Sequence, residues 1–267
     1  MEKKLDYFKP STHQYIIQGK PYKSFSSIIK LVEPEKDWDD IAAKYAKKHS
    51  TKKDPLTVED VKKQWAEKGR IARERGTLFH ALKEEEDINS KDKPVYFSET
   101  INDIKPIRNL ETLEDGIYPE LTLYNNEYQA CGTADKVIIE TINGVRYIDI
   151  LDYKTSETID EESYYDARNQ KFAMLANPLQ SVMDCNFMKY SLQLSMYAFF
   201  LEKYNFTPRN LILIHLIINE LDLNKESKYK IEYEGKSFHV EHEIEYPVKY
   251  MKKEVKALLQ YHKSKLK

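Results

Sequence analysis

Hydrophobic and polar positions alternate with a period of two on either side of Asn143 and Gly144, the pattern of half-buried strands. An Asn-Gly pair between such runs is the strongest short-range signal for a two-residue hairpin. With Asn143 and Gly144 as the central turn residues, Ile142 pairs with Val145, and counting outward sets Asp135 opposite Asp152. Directly opposed residues have Cβ atoms roughly 5 Å apart, where like charges destabilise a sheet. On the second strand Ile150, Asp152 and Lys154 share one face, while Tyr147, Asp149, Leu151 and Tyr153 share the other.

The same reading extends along the chain. Residues 13–17 alternate, Gly19, Lys20 and Pro21 turn, and Ser24 or Ser26 caps a helix start through Ile28, Ile29 and Leu31. Trp38, Ile41, Ala42 and Tyr45 form a helical stripe over 37–50, and a loop follows at 52–55. Thr57 with Asp60 fits a capping box. It opens a helix to about Glu86, with Val58, Val61, Trp65, Ala72, Phe79 and Leu82 as its apolar stripe. A second face carries Gly69, Arg73, Gly76 and His80, spaced 4, 3 and 4. Each interior glycine costs about 1 kcal/mol against alanine, which close backbone approach would explain.

Residues 87–119 are polar, contain Pro94, Pro106 and Pro119, and read as an irregular connection. A strand at 120–124 precedes the hairpin, and an insertion-like region at 155–184 follows it, its Tyr164, Tyr165 and Phe172 read as packing on the sheet. Residues 186–204 predict a helix with Tyr190, Gln193, Tyr197 and Phe200 on one face. Residues 210–219 are a near-continuous apolar strand, as in the middle of a sheet. An edge hairpin at 229–233 and 237–240 and a Lys-rich amphipathic helix at 245–267 complete the pattern.

A chain of 267 residues is long enough for one sizeable α/β domain. It divides into an addition at 1–55, a core at 56–220 and a C-terminal hairpin and basic helix at 221–267. No apolar run approaches the roughly 20 residues of a membrane span, and no secretory-signal pattern is seen. Cys131 and Cys185 are too few for a disulfide framework, so an intracellular, cytoplasmic setting without membrane partners is expected. The net charge of −2 argues against wholesale coating of nucleic acid. Local runs differ: residues 41–83 hold twelve Lys and Arg against five acids, and 247–267 hold seven Lys against one Glu. Such runs are solvated helix faces or tracks for a phosphate backbone.

The opposed acids are the chemistry. Asp-x-Lys on a strand alone reads as a surface ion pair, but Asp135 in register with Asp152 calls for a divalent cation with oxygen ligands. Without metal, one of the two carboxyls is expected to hold its proton. Lys154 projects beside the same acids, placed to stabilise charge on a phosphate or to orient a water. A lone His is ordinarily a core or capping residue. In the run Gly76, Thr77, Leu78, Phe79, His80, with the acids downstream, His80 is taken as a ligand, for which Mn²⁺ is better suited than Mg²⁺. Glu120 is either an outer member of this cluster or a surface strand residue.

Gly132, Thr133, Ala134 and Asp135, followed by Ile150, Leu151, Asp152, Tyr153 and Lys154, resemble the core of the PD-(D/E)XK nucleases, closest to their RecB-like exonuclease branch. That branch, which includes the mitochondrial genome maintenance exonuclease and many phage enzymes, adds an upstream helical His and a downstream Gln-x-x-x-Tyr. His80 and the pair Gln193 and Tyr197 stand in that order, and the resemblance covers about residues 65–220. Ala134 replaces the first motif's Pro, and Asp152 stands where relatives may carry Glu.

The resemblance implies a restriction-endonuclease-like α/β core, a mixed central sheet flanked by helices. It implies Asp135, Asp152 and Lys154 as catalytic residues, with His80, Asp135, Asp152 and the Tyr153 carbonyl holding Mg²⁺ or Mn²⁺. Gln193, Tyr197 and Arg73 would contact DNA. Some relatives hold an iron–sulfur cluster on four Cys, which two cannot supply. The activity implied is exonucleolytic cleavage of single-stranded DNA or DNA ends in phage or bacterial recombination, repair or replication. A structure-specific endonuclease and a non-cutting module that binds nucleic acid or protein are the alternatives.

Overall fold

Ten strands share one mixed sheet among the described residues, 6–51, 55–221 and 227–266 of the computed structural model. The chain opens with the antiparallel meander β1 (Tyr7–Lys9), β2 (Gln14–Ile17) and β3 (Lys20–Ser24). Ser24 then caps α1 (Phe25–Ile29) by accepting the Ser27 N–H. Helix α2 (Trp38–His49) packs through buried Ala42 and Ala46, with the rings of Trp38 and Tyr45 edge-on to Trp65. Trp38 stays 57% exposed and Ile41 and Tyr45 are also exposed, so of the expected apolar stripe Ala42 alone is buried. Only Pro55 of the loop expected at 52–55 lies within the described residues.

Helix α3 (Val58–Ile88) begins as its sequence predicts, with Thr57 and Asp60 closing a reciprocal capping box. β4 (Lys105–Pro106) is the one short strand in the polar connection. β5 (Gly116–Asn125) starts four residues earlier than expected, because Gly116, Ile117, Tyr118 and Pro119 already pair with the next strand. β6 (Ala130–Ile142) and β7 (Val145–Lys154) form the hairpin in the expected register, Ile142 opposite Val145 through Lys136 opposite Leu151. Asn143 and Gly144 have φ of 50° and 78°, the left-handed geometry that a two-residue hairpin turn demands.

β8 (Tyr165–Asp166) and β9 (Lys171–Phe172) form a separate two-stranded hairpin. Its aromatics do not pack on the sheet: Tyr164 is 77% exposed, and Tyr165 stacks edge-on against Phe172 at 5.1 Å. Helix α4 (Asn186–Leu201) is followed by β10 (Phe206–Leu221), which lies parallel to β7 and antiparallel to β12. β11 (Lys230–Tyr233) and β12 (Lys236–Pro247) make the edge hairpin, and α5 (Lys252–Ser264) closes the fold. β12 runs into the stretch read as helix, since pairing with β10 from Ser237 to Pro247 holds an exposed, mostly polar strand that no apolar pattern marks.

The order across the sheet is β11-β12-β10-β7-β6-β3-β2-β1-β4, with β5 beside β6. Val137, Ile139, Ile148 and Ile150 bury one face against Leu192, Met196, Leu258 and Leu259 of α4 and α5. Leu151, Tyr153, Ile214 and Leu216 bury the other against Phe79 and Leu82 of α3. Fully buried side chains of this size contribute about 1.5–3 kcal/mol each. No helix among the described residues is long and apolar enough to cross a membrane.

One irregularity in the sheet positions the site. β5 occupies one edge of β6 from Ala130 to Ile139. β7 and β3 must therefore share the other edge, β7 from Lys136 onward and β3 at Ala130 and Cys131. Between them, residues 132–135 have no strand partner on that edge.

Candidate functional site

Asp135 stands at this interruption. The register brings it level with Asp152, but the ladder stops one pair short, and Asp135 Oδ2 instead accepts the Tyr153 N–H at 2.6 Å. On its other side the β5 pairing passes from Pro119 opposite Lys136 to Leu121 opposite Ala134. Glu120 and Asp135 are left facing each other outside the ladder. Glu120 has φ of 49°, a left-handed conformation that a side chain with a Cβ adopts only where its surroundings hold it. His80 of α3 completes the group, its Nδ1 at 3.3 Å from Asp135 Oδ2.

Ligand atoms of His80, Glu120 and Asp135 lie within 4.8 Å of one another. Donors around one divalent ion, each about 2.0–2.6 Å from it, lie within about 4–5 Å of one another. Two carboxylates and an imidazole therefore fit a hard or borderline cation, and the His favours Mn²⁺ over Mg²⁺. Glu120, open between two roles in the sequence, is an inner member of this set. Asp152 is not in the set. The Lys154 ammonium lies directly on its Oδ2, with Asp152 buried and Lys154 half-buried, and Asp152 Oδ1 has no hydrogen-bond partner among the described residues. A buried carboxylate oxygen left without a donor is costly, and Asp152 is among the residues that line the same cavity as the cluster.

The charges are interdependent. Burial pushes Asp152 up, and with Asp135 nearby it reaches about 6 despite Lys154. Burial also pushes Asp135 up, but His80 outweighs it and holds the carboxyl below the usual carboxylate range. Burial and Asp135 carry Glu120 up to about 8. Burial pulls the His80 imidazole down, and Asp135 overrides it to bring His80 to about 9. Lys154 is likewise lowered by burial and raised further by Asp152 and Asp135. At neutral pH the positive charge among these acids is thus carried by His80 and Lys154.

These residues line a cavity of about 830 Å³, which Arg73, Gln193 and Tyr197 also border. Arg73 is exposed and has no ion pair among the described residues. Gln193 and Tyr197, both implied as DNA contacts, differ in exposure. Tyr197 is fully buried and donates to the Thr133 carbonyl at 2.6 Å, filling the gap in the β6 edge, and it accepts from Gln193 Nε2 at 2.7 Å. It is a positioning residue for the strand that carries Asp135, and only Gln193 remains within reach of a ligand. Gly76 allows α3 to approach β7 closely, since a Cβ there would lie 2.8 Å from Thr155 Oγ1. Gly69 has no such neighbour beyond the Arg73 side chain.

The sequence did not point to Glu84 or Lys105, which pair at 3.0 Å beside Glu120 in the same cavity. Glu84 continues the 4, 3, 4 spacing of the α3 face by one further step of 4, so the signal was present. Lys105 lies in the polar connection, where no periodicity operates. The basic runs are neutralised by partners only in part. Lys68 pairs with Glu157, Arg70 with Glu67, Glu74 and Glu234, Lys252 with Glu202, and Lys263 with Glu127.

No family model matches this chain, and no curated protein matches it.

Proposed function

We propose that this chain is a metal-dependent DNA exonuclease of the RecB-like PD-(D/E)XK type, on a restriction-endonuclease-like core, acting on single-stranded DNA or DNA ends. The observation that carries the reading is the convergence of His80, Glu120 and Asp135 within 4.8 Å, beside buried Asp152 and half-buried Lys154, on the wall of one open cavity. The upstream helix supplies the His, and the downstream helix supplies Gln193 and Tyr197, in the order the resemblance requires. Phage or bacterial recombination, repair or replication is the setting that goes with it.

His80, Glu120 and Asp135 would hold Mg²⁺ or Mn²⁺, with Asp152 Oδ1 free to join them. The ion would neutralise charge at the scissile phosphate and lower the pKa of the attacking water. Lys154 stays protonated and, held by Asp152, directs its ammonium toward the developing negative charge. Arg73 has no competing acid and takes a phosphate of the strand. Gln193 hydrogen-bonds the strand from the opposite wall.

End-labelled single-stranded and duplex DNA, incubated with Mn²⁺, with Mg²⁺ and with chelator, tests this. The expected result is metal-dependent release of short products from linear DNA, lost in Asp135→Asn and Lys154→Met. Cleavage that survives in Asp135→Asn overturns the assignment, and cutting of circular single strands indicates the endonuclease. The direct Asp152–Lys154 contact favours one other reading, a module that binds nucleic acid or protein without cutting. Retention of DNA with no product in Mn²⁺ would establish it.

A further inference from the structure

Hydroxyl groups from three separate elements converge on Thr133, inside the stretch of β6 that has no strand partner on one edge. The Tyr197 hydroxyl of α4 donates to its carbonyl oxygen at 2.6 Å. Its Oγ1 lies 3.1 Å from Thr122 Oγ1 of β5 and 3.1 Å from the Tyr15 hydroxyl of β2. Thr133 and Asp135 stand two apart on one strand and so project from the same face. A group that fixes the Thr133 side chain therefore also steadies the backbone from which Asp135 reaches the cluster.

Tyr15 comes to this group from farthest away in the chain. It belongs to the N-terminal meander, whose strand pairing with β6 ends at Cys131. Its ring is buried with Ile17 and Cys131, stacks on Phe8 with centroids 4.6 Å apart, and has His13 edge-on at 5.8 Å. Packing thus holds the ring with or without its hydroxyl. Burial pushes the phenol above its usual range, the Thr133 bond opposes this, and Cys131, Glu120 and Asp135 add to it. The group is therefore a neutral hydroxyl beside the acids, and it supplies from a side chain part of what the missing ladder does not. We propose that Tyr15 is a positioning residue for the metal cluster, its hydroxyl acting through Thr133 to set where Asp135 presents its carboxylate. The N-terminal addition then belongs to the cleavage machinery rather than merely covering the sheet. The proposal rests on the metal-binding part of the nuclease reading.

Tyr15→Phe keeps the ring and removes the hydroxyl. Calorimetric titration with Mn²⁺, in the absence of DNA, should give about tenfold weaker binding than wild type, the usual effect of losing a group that orients a metal ligand. Turnover of a saturating oligonucleotide should fall while its KM stays unchanged, because Arg73 and Gln193 are untouched. Ile17→Val, which trims the same buried cluster, should lower the melting temperature in chelator yet leave Mn²⁺ affinity as it was. Thr133→Val should weaken Mn²⁺ binding at least as much as Tyr15→Phe, and adding Tyr15→Phe to it should weaken binding no further, since residues acting along one path are not additive. Unchanged Mn²⁺ affinity in Tyr15→Phe, an equal loss in Ile17→Val, or losses that add in the double variant each overturn the proposal and leave the metal site standing. A wild-type protein that binds no Mn²⁺ removes the metal cluster and the proposal together. One that binds Mn²⁺ but cuts no DNA removes the nuclease alone, and the affinity series still decides the role of Tyr15.

Discussion

At the scale of single residues, His80 holds a proton where a cation is called for. Its folded pKa of about 9 lies above the ordinary 6.5, and that of Glu120, about 8, lies above 4.5. For a raised folded pKa the stabilisation is complete below the unfolded value and is lost as pH rises through the folded one. In chelator, melting temperature should therefore fall as pH rises from 6.5 to 9. Metal must displace both protons, so the increment in melting temperature given by Mn²⁺ should grow across that interval. A constant increment would return His80 to a purely structural role. Asp152 was expected to repel Asp135, which would make Asp152→Asn neutral or stabilising in chelator. Asp135 does help to push Asp152 up to about 6, but the Lys154 ammonium on its carboxylate opposes the expected gain, because removing one partner of a buried pair leaves the other uncompensated. Asp152→Asn should lose about 1–3 kcal/mol, and Asp152→Asn with Lys154→Met should recover part of it. The turn residues made the opposition of Asp135 and Asp152 legible. The left-handed backbone of Glu120 was not legible, because tertiary contacts impose it on a residue with no preference for it.

At the scale of elements, caps and turns were the most legible features, since a capping box or an Asn-Gly turn encodes its geometry within four residues. The starts of α1 and α3 and the register of β6 with β7 all follow from such local chemistry. Strand ends were not legible where backbone pairing alone extends them, as in the second half of β12 and the start of β5. Gly76 tests the closest approach between α3 and the end of β7. In an open helix Gly→Ala gains about 1 kcal/mol, but here the added carbon meets Thr155 Oγ1 at 2.8 Å, with Thr155 Cβ at 4.0 Å. Gly76→Ala should cost about 1–3 kcal/mol by overpacking. Gly76→Ala with Thr155→Ala should be at least as stable as wild type. Denaturant unfolding measures both, and a double variant no better than the single would place the strain elsewhere.

At the scale of the molecule, the alternation of strands and helices conveyed the α/β class, but not how β3, β5 and β7 divide the edges of β6, which depends on partners distant in sequence. Helix α3, 31 residues and roughly 46 Å long, spans the cluster's cavity and a second of about 740 Å³ that Trp65 borders. Its C-terminal part is fixed by Phe79 in the core, by Lys83 to Glu243 at 3.0 Å and by Asp87 to Lys136. Arg70, hydrogen-bonded to Tyr233 at 3.0 Å, is the last of these attachments to the sheet's edge hairpin. Ahead of it, among the described residues, Val61 and Trp65 pack in a small cluster with Ala42 and Ala46 of α2 and with Leu56. In mechanical terms α3 is a cantilever, clamped across the cluster of His80, Glu120 and Asp135 and overhanging by about 15 Å. A bending beam moves least at its clamp and most at its free end. Thermal flexing should therefore leave His80 in register with Asp135 while widening and narrowing the mouth beside Trp65. Amide exchange should show it as a gradient of protection along one helix, slow from 79 to 87 and much faster from 61 to 67. Uniform protection from end to end would mean that α2 clamps the beam as firmly as the sheet does.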